Sequence, residues 1–153
     1  KPEVKRIIIY IAVLLAVIQL PVGGMDVGKL KPVGLIQIYK EGETVFVVTD
    51  TGDAGQGKTV DAAFENLEET TAGVIFLDTA DYLLIGRNAI YDAEGLARYL
   101  KPTIDVCIAG KEIDPVQAAE HLAVHHPRVE LKDKNAIQRA QTLVAQNGRL
   151  VLK

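Results

Sequence analysis

The hydrophobic positions along the chain fall into three kinds of run, and each predicts a different element. Near the start, Ile7 to Ile18 is apolar at every position, with Lys1, Lys5 and Arg6 before it and Gln19, Leu20 and Pro21 after it. A globular helix would show a polar stripe, so this layout predicts an export signal or a signal anchor over residues 1–24. The run is a little short of the roughly 20 residues that a full span needs. By the positive-inside rule the cations stay in the cytoplasm and everything after Gly24 lies outside the cytoplasm. Pro21, Gly23, Gly24, Gly28 and Pro32 punctuate a linker, assigned to residues 25–32.

A second kind of run is short and rich in β-branched residues. Val33 to Tyr39 and Thr44 to Thr49, separated by Lys40-Glu41-Gly42-Glu43, predict a hairpin. Val74 to Leu77, Tyr82 to Ile85, Thr103 to Ala109, Arg128 to Leu131 and Arg149 to Leu152 predict further strands. The third kind has helical spacing. Val60, Ala63, Phe64 and Leu67 predict a helix opened by Thr59, with Asp61 in the first turn where the helix dipole favours an anion. Helices are also expected over Ala89 to Leu100, from Asp114-Pro115 to His125, and over Asn135 to Ala145. Thr51 to Gly57 is Gly-rich and reads as loop. Strands and helices alternate after an initial hairpin, so the expectation is one small α/β or α+β domain over residues 33–153, with a mixed sheet packed by helices.

Composition removes several functions. The net charge is -3 and aromatics make up 5% of the chain, so neither a basic field nor a stacking platform for nucleic acid is present. Serine is absent, which excludes a serine nucleophile. The single cysteine, Cys107, lies in the apolar stretch Val106 to Ala109, excludes an internal disulfide or a thiolate zinc site, and is expected to be a small buried hydrophobe.

One motif carries candidate chemistry. Gly52-Asp53-Ala54-Gly55-Gln56-Gly57-Lys58-Thr59 fits the G-x-x-x-x-G-K-[ST] pattern, in which glycines let backbone N–H groups converge on phosphates while the lysine neutralises charge. Val74 to Asp78 could supply the apolar strand and acid that assist magnesium. Against this reading, Gly and Thr are common before helices, and the segment lies on the side of the membrane where nucleoside triphosphates are scarce. Little chain is left for a base-binding site. The competing reading makes Lys58-Thr59 a plain helix start. His121 and His125 share a helix face at i, i+4 spacing, a possible metal pair without a clear third ligand, with His126 and Glu120 beside them. Asp50, Asp53, Asp78 and Asp81 gather in loops, where turn aspartates are ordinary.

Gly55-Gln56-Gly57-Lys58-Thr59-Val60-Asp61-Ala62-Ala63-Phe64-Glu65-Asn66-Leu67, then Ile75 to Asp78, Tyr82 to Gly86 and Ile104 to Gly110, resemble the N-terminal domain of the Ger(x)C family, the C subunits of spore germinant receptors. The resemblance spans about residues 33 to 122. It implies a membrane-associated, extracytoplasmic protein of a spore-forming bacterium, with Lys58-Thr59 as a helix start and no catalytic residues. Met25 stands near the place of the family's lipid-modified cysteine, which leaves anchoring to the apolar helix. A similarity to the ring-building domains of sporulation channel proteins implies self-assembly. The expectation is therefore a non-catalytic interaction or assembly domain, with protein partners or copies of itself, no cofactor, no metal and no nucleic acid. The other reading is a phosphate- or nucleotide-binding enzyme built on Gly52 to Thr59.

Overall fold

The computed structural model describes residues 2–19, 30–110, 113–133 and 135–153. Most of the expected signal segment is present as one helix, α1 (Pro2–Gln19). Its cationic end holds Glu3, Lys5 and Arg6, and the apolar stretch that follows is short. Among the described residues no helix is long and apolar enough to cross a membrane. Ile7, Ile8, Ile9 and Tyr10 are 57, 60, 60 and 76% exposed. Four consecutive residues point around the whole circumference of a helix, so no side of this stretch is buried. Residues 20–29, which hold the end of the expected signal segment and most of the expected linker over 25–32, lie outside the described residues.

The rest is built on a seven-stranded mixed sheet with the order β4-β3-β2-β6-β7-β8-β9. Its members are β2 (Leu35–Glu41), β3 (Thr44–Thr49), β4 (Ala54–Gly57), β6 (Tyr82–Gly86), β7 (Asp105–Ala109), β8 (Gln141–Gln146) and β9 (Arg149–Leu152). Four central strands, β2, β6, β7 and β8, run parallel, while β3, β4 and β9 are antiparallel to their neighbours. Thus the expected mixed sheet packed by helices is present.

Alternation sends side chains to two faces. On the first, Ile36, Ile38, Val45, Val47, Leu83, Ile85 and Val106 meet α2 (Val60–Thr70) through Val60, Ala63, Phe64 and Leu67. A run of 3₁₀ turns, Arg87–Arg98, packs beside α2 through Ala89 and Leu96. The Phe64 and Tyr99 rings stack with centroids 4.3 Å apart, and Tyr99 Oη donates to Asp61 at 2.6 Å, tying this segment to the first turn of α2. On the second face, Leu35, Leu84, Cys107 and Leu143 meet Ala118 and Leu122 of α3 (Pro115–Val124).

Several sequence expectations need correction. Ala54–Gly57 is not loop but the edge strand β4, paired with Val45 to Val48 of β3. The expected linker ends in a strand, β1 (Leu30–Pro32), which pairs in parallel with β5 (Val74–Phe76) in a separate two-stranded sheet. The Thr79 hydroxyl fixes that corner by accepting from Val33 N–H at 2.9 Å. In place of the α-helix expected over Ala89 to Leu100, Arg87–Arg98 forms 3₁₀ turns, consistent with the poor helix formers Asn88, Asp92 and Gly95 in that stretch. Arg128 to Leu131 contributes only a bridge, Glu130 to Asp105.

The largest error is the helix expected over Asn135 to Ala145. Only one turn forms, α4 (Ala136–Arg139), and Gln141–Gln146 is β8. Asn147 and Gly148 have φ of 52° and 74°, and they join β8 to β9 with Gln146 opposite Arg149. Positive φ at both central residues is the two-residue hairpin turn that Asn-Gly favours. Pairing beside β7 buries Leu143 completely, which outweighs the weak helical preference of the segment.

Candidate functional site

The motif with the clearest chemical promise turns out to be a packing device. Gly55 and Gly57 alternate with Ala54 and Gln56, so both glycines face α2. A Cβ on Gly55 would stand 2.3 Å from the Ala63 carbonyl oxygen, and one on Gly57 would stand 2.5 Å from Ala62 Cβ. Glycine is needed at both positions because the helix backbone occupies the space a side chain would take. Thr59 caps α2, its hydroxyl accepting from Ala62 N–H at 3.1 Å. The outward edge of β4 is also occupied. Gln56 N–H donates to Asn66 Oδ1 at 3.0 Å, and Thr70 Oγ1 donates to the Ala54 carbonyl at 3.0 Å. Amides extended in a strand do not converge on a point, so the Ala54–Gly57 stretch of the motif is not arranged as a phosphate cradle. Lys58 is exposed.

The aspartates hold loops. Asp50 accepts from Gly34 N–H at 3.1 Å, just before β2. Asp53 pairs with Lys31 at 3.1 Å, and Asp81 pairs with Lys101 at 2.7 Å. Asp78 sits in a 3₁₀ turn, Leu77–Thr79. Asp50 and Asp81 flank the N-terminal ends of β2 and β6.

The histidines do come together. The rings of His121 and His125 lie 4.7 Å apart, and His126 Nδ1 is 3.1 Å from Tyr82 Oη. They line a cleft of about 460 Å³ against Leu150 to Leu152 of β9, where His121 Nε2 and Gln141 Oε1 are buried without hydrogen-bond partners. Burial, reinforced by neighbouring His125, lowers the His121 pKa. Among the described residues no group of three His, Cys, Asp or Glu side chains is placed to hold a metal ion. Burial, with Asp81 and Asp105 adding to it, raises the Tyr82 pKa, so its hydroxyl stays protonated at neutral pH. Cys107 is fully buried and its thiol is pushed up to about 12 by that burial, so it is an inert hydrophobe.

A site that the sequence reading overlooked lies at the opposite end of the sheet. β6 continues into the 3₁₀ segment on the first face, while β7 continues into α3 on the second. Neighbouring parallel strands whose connections leave for opposite faces open a crevice beyond their C-terminal ends, the usual ligand position in open α/β sheets. Here it is a cleft of about 290 Å³, lined by Gln37, Tyr39, Lys40 and Glu41 of β2, by Gly86, Arg87 and Asn88, and by Ala109 and Gly110. A second cleft of about 340 Å³ shares Gln37 and Tyr39 and reaches Val48, Ile113, Asp114 and Pro115. Gln37 is only 2% exposed, yet its Nε2 has no hydrogen-bond partner. The Tyr39 ring is stacked on Phe46 with centroids 5.1 Å apart. The available signal was one amide inside the otherwise apolar run Leu35-Ile36-Gln37-Ile38.

No known protein family, curated protein or solved structure matches the chain.

Proposed function

We propose that the protein is a membrane-associated, non-catalytic interaction domain that acts outside the cytoplasm by binding partner proteins or copies of itself. The observation that carries this reading is the surface of α1. Val4, Ile7, Ile8, Ile9, Ile11 and Val13 are each more than half exposed. Burying such side chains is worth on the order of 1 kcal/mol or more apiece, so an apolar environment for the helix follows. A lipid surface or a partner helix supplies it, and the short apolar length favours a shallow or assisted insertion over an unassisted span.

Two further observations support the reading. The outer edge of β9 pairs with no described strand, whereas that of β4 is bonded by Asn66 and Thr70. An open edge is a template for strand addition from a partner or a second copy. The single thiol, Cys107, is buried and holds its proton. The likeness to spore-germination proteins fits the same setting and adds sporulation or germination as its context.

Flotation of the full chain with liposomes tests the proposal, combined with its mass in detergent. The wild type is expected to float, and Ile8→Glu with Ile11→Glu to abolish flotation while leaving domain stability unchanged. A wild-type chain that stays with the soluble fraction, and is strictly monomeric, contradicts the proposal.

A further inference from the structure

We propose that the crevice beyond the C-terminal ends of β2, β6 and β7 binds a small organic carboxylate, with Arg87 and Gln37 Nε2 meeting its oxygens and Tyr39 lying along its apolar body. This goes beyond the interaction role and does not depend on it. Three independent observations converge on the crevice. The first is topological: the chain leaves β6 and β7 for opposite faces of the sheet, and the gap sits between those exits.

The second is Gln37. An amide at 2% exposure with an unpartnered Nε2 is an expensive thing to fold around. Its position on the wall of both clefts gives that cost a use, because a ligand oxygen there completes the hydrogen bond. The third is the charge pattern. Lys40 is engaged by Asp92 at 3.5 Å, while Arg87 is exposed and makes no ion pair among the described residues. Asp114, whose carboxylate caps Val116 N–H at 3.0 Å, places negative charge in the adjoining cleft. The lining of the first cleft sets Lys40 and Arg87 against Glu41, one net positive charge, so an anionic group belongs there beside Arg87, and an uncharged body extends past Tyr39 toward Val48 and Ile113. The guanidinium fork suits a planar carboxylate. The volume of about 290 Å³ lies at the lower end for small-molecule sites, so the ligand is compact.

Nuclear magnetic resonance titration of the full chain with benzoate tests this, with benzylammonium and benzyl alcohol as cationic and neutral counterparts. Benzoate is expected to shift the Gln37 side-chain amide and the backbone amides of Gly86 and Gly110 saturably, in the millimolar range. Arg87→Ala should weaken that binding about tenfold, the loss expected for one charge-assisted hydrogen bond. Gln37→Leu should weaken it comparably. Arg87 is exposed, so its replacement leaves folding intact and the test stands even where Gln37→Leu perturbs the strand. Three results would each overturn the proposal. These are no saturable shift at tens of millimolar, equal shifts with benzylammonium, or benzoate binding unchanged in Arg87→Ala.

Discussion

The two faces of the sheet are built by different rules. The first is a continuous apolar layer in which α2 and the 3₁₀ segment seal Ile36, Ile38, Val45, Val47, Leu83 and Ile85. The second is covered chiefly by one helix, α3, and retains polar atoms that lack partners at Gln37 and Gln141, with His121 of α3 itself. Native proteins satisfy nearly all buried polar groups, and exceptions call for an explanation. We read the first face as the source of stability and the second as the face kept for binding, where local rules are broken in exchange for function.

The sharpest way to break this comparison is at the contact between β4 and α2. Gly55→Leu places a side chain where the Ala63 carbonyl and Leu67 amide already stand, at 2.3 and 2.4 Å from the first added atom. The variant is expected to lose roughly 4 kcal/mol or more, since the helix must lift off the strand. Urea denaturation measures it, and a loss under about 1 kcal/mol would mean that α2 is not seated as described. Next in size, Phe64→Ala removes a ring stacked on Tyr99 at 4.3 Å in the fully buried layer. A cost of about 3–5 kcal/mol is expected. Lys58→Ala, in the same segment, should change stability by less than about 0.5 kcal/mol and should not alter any response to magnesium-ATP.

Much of the first face was legible from sequence because its signals are periodic. Thr59 as cap, then Val60, Ala63, Phe64 and Leu67, define α2 without reference to anything else. The hairpin of β2 and β3 was equally plain, with Gly42 at φ 59° in its turn. The failures have physical causes. Gly55 and Gly57 look like loop glycines until α2 is known to lie against them, so only tertiary contact identifies β4. Gln141 to Gln146 carries no strong preference, and pairing with β7 decides it. The Asn147-Gly148 turn was the available hint. Gln37 stood out only as one polar residue among apolar ones, and the crevice arises from the chain's exits to opposite faces, which no local pattern encodes.

A smaller effect sharpens the second face through pH. The His121 pKa is lowered in the folded state, first by burial and then by His125. The unfolded chain therefore binds the proton more readily. Stability from this residue is fully present above its unfolded pKa of about 6.5 and is lost as pH falls through the lower folded value. Thermal melts between neutral and mildly acidic pH should show this loss, and His121→Leu should flatten it. The opposite slope would show that the His121–His125 pair, with His126 and Arg128 in the same cleft, accepts the charge.

The division of labour between the faces is tested most directly by the stability of Gln37→Leu. Leucine fits a strand whose neighbours are Ile36 and Ile38, and it removes an unpartnered buried amide. We predict a gain of about 1 kcal/mol, a rise of about 3 °C in Tm. A fall in Tm would show that Gln37 is part of a satisfied core, and the second face would then be structural like the first.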